Sequence, residues 1–516
     1  MGQVPSDIQV KIYGYCEYNE EFLKTLIRAS KYKCIQDAKG EFTIVYIAPS
    51  EVQIITSNTG AMHYFYYYDG NRFSHGQHIL EIVQKLKLEW KWDWLSVGDL
   101  CEQENLTENR TMHKEIKRIP PGGILRFDGR LTVWSTSFID TIKETDSNAV
   151  DAVDIFNEET SRWVSNNTFL SLSGGFDSRV ILSAMLKEKI YPTLVTLGDQ
   201  RSTDIQVAGR IANRFALQHR IVQLSLDDFF KEAEHISYIT NGSKPACHWH
   251  TYLYPKKVGV GKDHTFFVGT LGEFARCYYL DKGIISILLD GFAGVTQEAF
   301  WRLKLKRHRT FKKTELNLLS DDLRGQLEEE SMIERAQRNA RLSRGGLLSG
   351  GCRYYLEQRV PNFYANGIRM YNDSTQWRSP FHNINWLKAI WCLSENWKLG
   401  SNWHRLAITR NYPELLNFPE EKGFDKRCML RKAPPLYWVS RIQRMKYQTY
   451  DLSESWYAKD VIKEYIMDNI QFLDDVAHKS LCERILSEQQ KNKSRTKAVS
   501  FLLTMLYFKR TISKVR

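Results

Sequence analysis

The sequence predicts a mixed fold in three parts: a β-rich first domain over residues 1–140, a doubly wound α/β domain over 150–430, and a basic helical extension over 431–516. Three observations lead there. The first quarter is built of short β-branched and aromatic runs cut by turn dipeptides. From residue 169 onward, strand-like runs alternate with segments of helical periodicity. Between the first such run and the helix after it lies a turn of glycines, serines and one aspartate.

In the first domain, Glu41–Ile47 and Val52–Thr56 are strand-like and bounded by Lys39-Gly40, Pro49-Ser50 and Asn58-Thr59-Gly60. Ala61–Tyr68 and Arg72–Ser74 face each other across Asp69-Gly70, a hairpin signal, and Ile124–Phe127 turns at Asp128-Gly129 into Leu131–Trp134. The polar stretch Thr141–Ala152 reads as a linker. Beyond it, Phe169–Leu172, Thr193–Leu197, Arg220–Leu224 and Thr265–Val268 read as buried strands. Val180–Glu188 and Asp204–Ala216 have helical spacing, the latter with apolar residues at 205, 208, 211, 212 and 215. Strands alternating with helices of this length mean a parallel sheet. From about 290 the pattern is mainly helical.

Apolar residues are 42% and charged residues 26% of the 516, which excludes wholesale disorder and fibrous repeats. The net charge of +12 favours anionic partners. Nine scattered cysteines with no C-x-x-C pair read as reduced thiols, neither a disulfide framework nor a zinc site. No secretory signal opens the sequence, and the longest uncharged apolar stretch, Ala498–Phe508, falls short of the ~20 residues of a spanning helix. A soluble cytoplasmic protein is expected.

The chemistry is carried by Ser171-Leu-Ser-Gly-Gly-Phe-Asp-Ser-Arg179. Gly174 and Gly175 let the backbone turn tightly with its N–H groups inward. Ser173 and Ser178 add hydroxyl donors, and the helix N-terminus adds partial positive charge, making a nest for a pyrophosphate-sized anion at the carboxyl edge of a strand. Asp177 would repel phosphate unless a cation stood between them, so a Mg²⁺ ligand is its natural role. No Walker loop, GxxxxGK[ST], occurs.

SGGFDS resembles the PP-loop of the ATP pyrophosphatases, and specifically that of the asparagine synthetase family. The resemblance runs along most of the chain. GEFTIVY and ITSNTGAMHYFYYYDGNRFSHG are similar to that family's N-terminal-nucleophile glutaminase β-sandwich, and IKRIPPGGILRFDG to the segment closing it. Val268–Glu273 through Tyr279 falls where the family has S-G-E-G-S-D-E and Gly-Gly-Tyr. Trp377–Phe381 resembles E-x-R-x-P-F, and Pro419–Phe424 resembles R-P-K-x-G-F. The resemblance implies an ATP- and Mg²⁺-dependent ligase that adenylates a carboxylate, releases pyrophosphate, and lets a nitrogen nucleophile displace AMP. Ser173, Gly174, Gly175, Asp177, Ser178 and Gly269 would hold the nucleotide, with Leu172 and Leu197 beside the adenine. Asp177 and Glu273 would bracket the metal. Lys422 would stabilise charge on the phosphates and on the tetrahedral intermediate, and Arg378 and Tyr278 would lie on the substrate side.

Two departures shape the expectation. The family's glutaminase begins with a cysteine whose own α-amine serves as base, whereas position 2 here is Gly2, and Cys16 and Cys34 have no free α-amine beside the thiol. Glutamine hydrolysis is therefore not expected. Where the family has a glutamate that helps the nitrogen lose its proton, this chain has Thr270. The base would then be Glu357 or one of Tyr278, Tyr279, Tyr354 and Tyr355; Tyr–Glu pairs play that part in the β-lactam-forming relatives. Both departures lean toward relatives that take ammonia or an amine directly, such as β-lactam synthetases and lasso-peptide cyclases.

Trp301–Lys313 and Lys422–Lys446 are cation-rich and admit an anionic macromolecular substrate, although no stable nucleic-acid complex is expected. The alternatives kept beside the ligase are asparagine synthetase proper using ammonia, an RNA-modifying PP-loop enzyme, and a non-catalytic scaffold. The carboxylate, the nitrogen donor and the oligomeric state are left open.

Overall fold

The structure is a computed structural model, and it describes residues 8–142, 148–276, 278–279, 296–398, 401–419, 452–491 and 494–515. The first region holds two antiparallel sheets. One has five strands in the order β1 (Gln9–Cys16), β2 (Gly40–Ala48), β3 (Glu51–Thr56), β7 (Gly123–Phe127) and β8 (Leu131–Ser135). The other is β5 (Phe73–Gly76), β4 (Phe65–Tyr68) and β6 (Lys117–Arg118). Strict alternation along β2 explains the layering. Phe42, Ile44 and Tyr46 pack with Leu23, Ile27 and Ile35 of two short helices, while Val45 turns the other way, to Ile54, Leu125 and Tyr64. The two sheets meet on that second face, where Phe73 stacks on Phe127 at 4.1 Å.

The second region is a five-stranded, wholly parallel sheet in the order β11 (His219–Val222), β10 (Thr193–Leu197), β9 (Thr168–Ser171), β12 (Thr265–Phe267) and β13 (Gln376–Arg378). The chain leaves β9 for β10 on one side and later returns to β12 on the other. The carboxyl ends of β9 and β12 therefore flank a topological switch point, the crevice where such sheets bind ligands.

The expected strands and both hairpins are present, with Gly70 and Gly129 at φ +98° in their turns. Strands β1 and β13 and the helices Glu20–Arg28, Ile79–Leu86 and Trp94–Gln103 are additions to the sequence reading. The polar stretch expected as a linker contains the start of a helix, Ala149–Arg162, capped by Asn148. The apolar stretch Ala498–Phe508 lies in the helix Thr496–Val515, which is buried along most of its length in a cluster that reaches from Tyr15 to Ile512 and includes residues of both regions. No described helix is long and apolar enough to cross a membrane.

Candidate active site

The turn after β9 has the geometry its residues dictate. Leu172 continues the strand, its N–H bonded to the Val195 carbonyl, and Gly175 caps the helix Phe176–Lys187. Every amide at the front of the turn has a polar acceptor. Ser173 N–H donates to Ser178 Oγ (3.1 Å), Gly175 N–H to Ser173 Oγ (3.2 Å), and Gly174 N–H to Asp204 Oδ1 at 2.6 Å. Asp204 stands in the first turn of the helix Thr203–Arg214, so one amide of the nest already binds an anionic oxygen.

Arginines and a histidine surround the turn. Arg179, fully buried, donates to the Gly174 carbonyl (2.8 Å) and also to the carbonyls of Phe418 (2.9 Å) and Pro419 (2.8 Å). It ties the loop to the segment that precedes Lys422. Arg405 lies 4.7 Å over the Phe176 ring. Arg276 donates to Asp177 Oδ2 at 2.8 Å, and the buried His404 places Nε2 2.9 Å from Asp177 Oδ1.

The switch-point topology brings Asp177 and Glu273 to one place. The turn Val268–Gly272 leaves β12 directly beneath the helix that carries Asp177. A Cβ on Gly272 would meet Asp177 Cγ at 2.6 Å, and one on Gly269 would meet Asp177 Cβ at 3.0 Å, so both glycines are set by the close approach. Between them Leu271 takes φ +72°. Burial raises the Glu273 carboxyl above its ordinary range. Arg276 opposes that shift, the Asp177 charge adds to it, and hydrogen bonds from Tyr364 and Tyr355 oppose it, Tyr355 Oη donating at 3.0 Å. Two carboxylates that disfavour each other's charge, with an arginine beside them, are a donor set suited to a hard divalent cation.

The remaining expected residues fall as follows. Leu172 is buried and Leu197 half-buried at the ends of β9 and β10. Thr270 is half-exposed at the mouth of the crevice, its Oγ1 3.5 Å from His382 Nε2 and its carbonyl held by Ser379 Oγ (2.9 Å). Tyr278 packs on Tyr355 with ring centroids 5.2 Å apart and lines a cavity of ≈ 150 Å³ with Glu104, Lys304 and Arg359. Arg378 covers Tyr15 at 4.2 Å and Trp163 at 5.2 Å, inside the seam between the two regions. Glu357 accepts from Ser137 (2.6 Å) and Arg353 (3.0 Å). It shares a ten-residue π-helix, Tyr355–Tyr364, with the tyrosines that hold Glu273. Lys422 and the basic run that follows it lie outside the described residues. In the other basic run, Lys304 lies over the Tyr279 ring at 4.0 Å, and Arg309 pairs with Glu329.

Asp204, Arg276, His404 and His382 escaped the sequence reading. Asp204 had a signal, an acid in the first turn of a helix after a strand of the sheet. The other three come from segments whose approach to the loop only the tertiary fold decides.

The glycine–serine turn thus stands at the switch point of a parallel sheet with an acid pair facing it, the place where such sheets bind ligands. In comparison with known proteins, residues 167–258 match the asparagine synthase family, and the loop, β10 and β11 all lie inside that span. Among solved structures, NMN synthetase from Francisella tularensis aligns at 14% identity over 40% of this chain and 91% of its own, with a TM-score of 0.20, too slight a superposition to bear on fold or activity. No curated protein matches. The segment is thus of asparagine synthase type, the class of ATP-using ligases and synthetases.

Proposed function

We propose that this protein is an ATP-dependent amide-forming ligase: it adenylates a carboxylate, releases pyrophosphate, and lets ammonia or an amine displace AMP. One observation carries the reading. The glycine–serine turn after β9 presents its amides and a helix N-terminus to an anion, and the acid pair Asp177–Glu273 meets it across the switch point. The amides of Gly174 and Gly175 and the hydroxyls of Ser173 and Ser178 orient the β- and γ-phosphates, with Asp204 yielding its place to them. Asp177 and Glu273 would hold Mg²⁺, which supplies charge neutralisation during attack at the α-phosphorus. Leu172 and Leu197 offer the adenine an apolar wall. Arg405 and Arg276 add fixed positive charge, and Arg179 anchors Pro419, three residues before Lys422, to the loop. In the proposal Lys422 neutralises the departing pyrophosphate and the oxyanion.

The same reading includes indifference to glutamine. Position 2 is glycine, and burial pushes the Cys16 thiol up to about 11, far from a thiolate at neutral pH. The first region is then a glutaminase-like sandwich without its nucleophile.

The experiment is release of AMP and pyrophosphate from ATP by the purified protein. A panel of carboxylic acids is offered with ammonia, amines or glutamine, and Asp177→Asn serves as control. Pyrophosphate appearing with one acid, lost in the variant and unaffected by glutamine, supports the ligase; ADP as the product would refute it.

A further inference from the structure

An amine attacking an acyl adenylate must lose a proton, and the mouth of the crevice offers Thr270, which is no base by itself. Behind it the structure supplies one. His382, 3% exposed, sits in the turn after β13 with Nε2 3.5 Å from Thr270 Oγ1 and Nδ1 3.2 Å from Glu41 Oε2. Glu41, with no exposure, belongs to the other region of the protein, on β2. Its carboxylate also receives the Ala61 N–H at 3.0 Å and the hydroxyls of Ser57 and Thr59. A carboxylate so surrounded by donors accepts only, which makes His382 Nδ1 the donor. In the neutral ring, Nε2 is then left as an acceptor facing Thr270. Hydroxyl, imidazole and buried carboxylate stand in the order in which a base is held by a third group.

We propose that Glu41 and His382 form a proton-accepting relay for the amide-forming step, acting through the Thr270 hydroxyl; this rests on the ligase reading above. As the C–N bond forms at the acyl carbon, the N–H bond of the amine breaks and its proton passes to Thr270 Oγ1, whose own proton passes to His382 Nε2. The C–O bond to phosphate then breaks, and AMP leaves with the electron pair. The imidazolium formed is stabilised by the Glu41 charge and later returns its proton to solvent. Thr270 touches the reacting nitrogen; His382 and Glu41 are positioning residues behind it. The long Thr270–His382 contact is of the kind that shortens when substrate arrives. On this assignment the first region contributes Glu41 to the synthetase reaction.

Two arms test it. The first needs no substrate: histidine ring-nitrogen NMR of the full chain, with the His382 signal identified by its loss in His382→Gln. The expected result is a proton on Nδ1 and none on Nε2 in the wild type, with that preference lost in Glu41→Gln. A proton on Nε2 in the wild type overturns the relay, because the nitrogen facing Thr270 would have no room to accept another.

The second arm uses the acid identified by pyrophosphate release and compares ATP–pyrophosphate exchange with amide formation. Thr270→Val and His382→Gln should each slow amide formation by about 10²-fold or more and leave exchange within about threefold, and Thr270→Ser should restore most of the rate. Equal loss of both half-reactions, or of neither, overturns the proposal. Wild-type protein that exchanges with no acid refutes the ligase reading instead, and the NMR arm still decides the hydrogen-bond order on its own.

Discussion

Gly272→Ala is the smallest change that reaches the acid pair. The added methyl would stand 2.6 Å from Asp177 Cγ and 2.7 Å from its Cβ and Oδ1. Ordinary carbon contacts are ~3.5–4.0 Å, so the carboxylate must withdraw by about 1 Å. A misplacement of about 1 Å at a reacting or binding group costs roughly 10²-fold. With Mg-ATP at about 100 times the wild-type Kd, ligand stabilises the wild type by about 2.7 kcal/mol; after a ~100-fold loss the same concentration gives only about 0.4 kcal/mol. For 516 residues unfolding together, at ~2.1 cal/mol/K each, those energies correspond to Tm increments of about 2.5 °C and about 0.4 °C. The assay is thermal unfolding of each protein with and without Mg-ATP, so any cost of the methyl to the apoprotein cancels. Gly325→Ala is the matched control, since its Cβ meets nothing within 4 Å and it lies in the helix Asp321–Leu327. A wild-type increment in Gly272→Ala would falsify the placement of Asp177 at the nucleotide.

Other consequences can be checked alongside. Asp177→Asn should abolish the Mg²⁺ dependence of the ATP-induced Tm increment, read by repeating the measurement with EDTA. Burial, reinforced by Arg359, pushes the Lys244 ammonium down to about 7. Between there and the ordinary value near 10.4 the unfolded chain binds a proton that the folded chain does not. Lys244 thus makes stability rise with pH across that window, by at most ~1.4 kcal/mol per unit, and contributes no slope below it. Denaturant midpoints at several pH values should therefore climb more steeply in the wild type than in Lys244→Met. Gly242 has φ +66°, and a Cβ there would lie 2.2 Å from Phe508 Cγ; Gly242→Ala should cost about 2 kcal/mol or more in urea unfolding, and the same change made in a Phe508→Ala background should cost less. Arg179→Met removes the ties to Phe418 and Pro419 and should increase the rate of limited proteolysis within 413–419, a change that Arg214→Met, on an exposed pair with Glu414, should not reproduce.

Much of the parallel sheet was legible because its strands are short apolar runs flanked by turn residues, and β10 begins and ends where the composition places it. Strand β1 was not. Gln9–Cys16 alternates polar and aliphatic residues only as far as Ile12, is interrupted by Gly14, and becomes a strand by pairing with β2 along its whole length. β13 is three residues long and exists because β12 lies beside it. The site divides in the same way. The tight turn at Ser173–Ser178 could be placed because it is written in consecutive residues between a strand and a helix. His382 and Glu41 are 341 positions apart, and neither is unusual in its local sequence. Their meaning arises only where β2 is laid against the turn after β13. The π-helix gives Glu357 Ser137 and Arg353 as partners while Tyr355, two residues earlier, faces Glu273, a division of partners that residue type alone does not announce.

The burial of Thr496–Val515 bears on how the chain is made. Leu502, Met505, Leu506 and Phe508 fill a cluster whose other walls are Leu80, Val97, Phe229 and Trp249, all synthesised much earlier. A nascent chain emerging from the ribosome must carry those apolar walls open to solvent until the closing segment is released. The cores around β2 and around the helix Phe176–Lys187 hold no residue of that segment, so it is this one shared cluster that waits for it. A ribosome stalled before Thr496, or a frameshift close to it, would leave those walls uncovered and yield a sticky intermediate that chaperones and proteases would meet first.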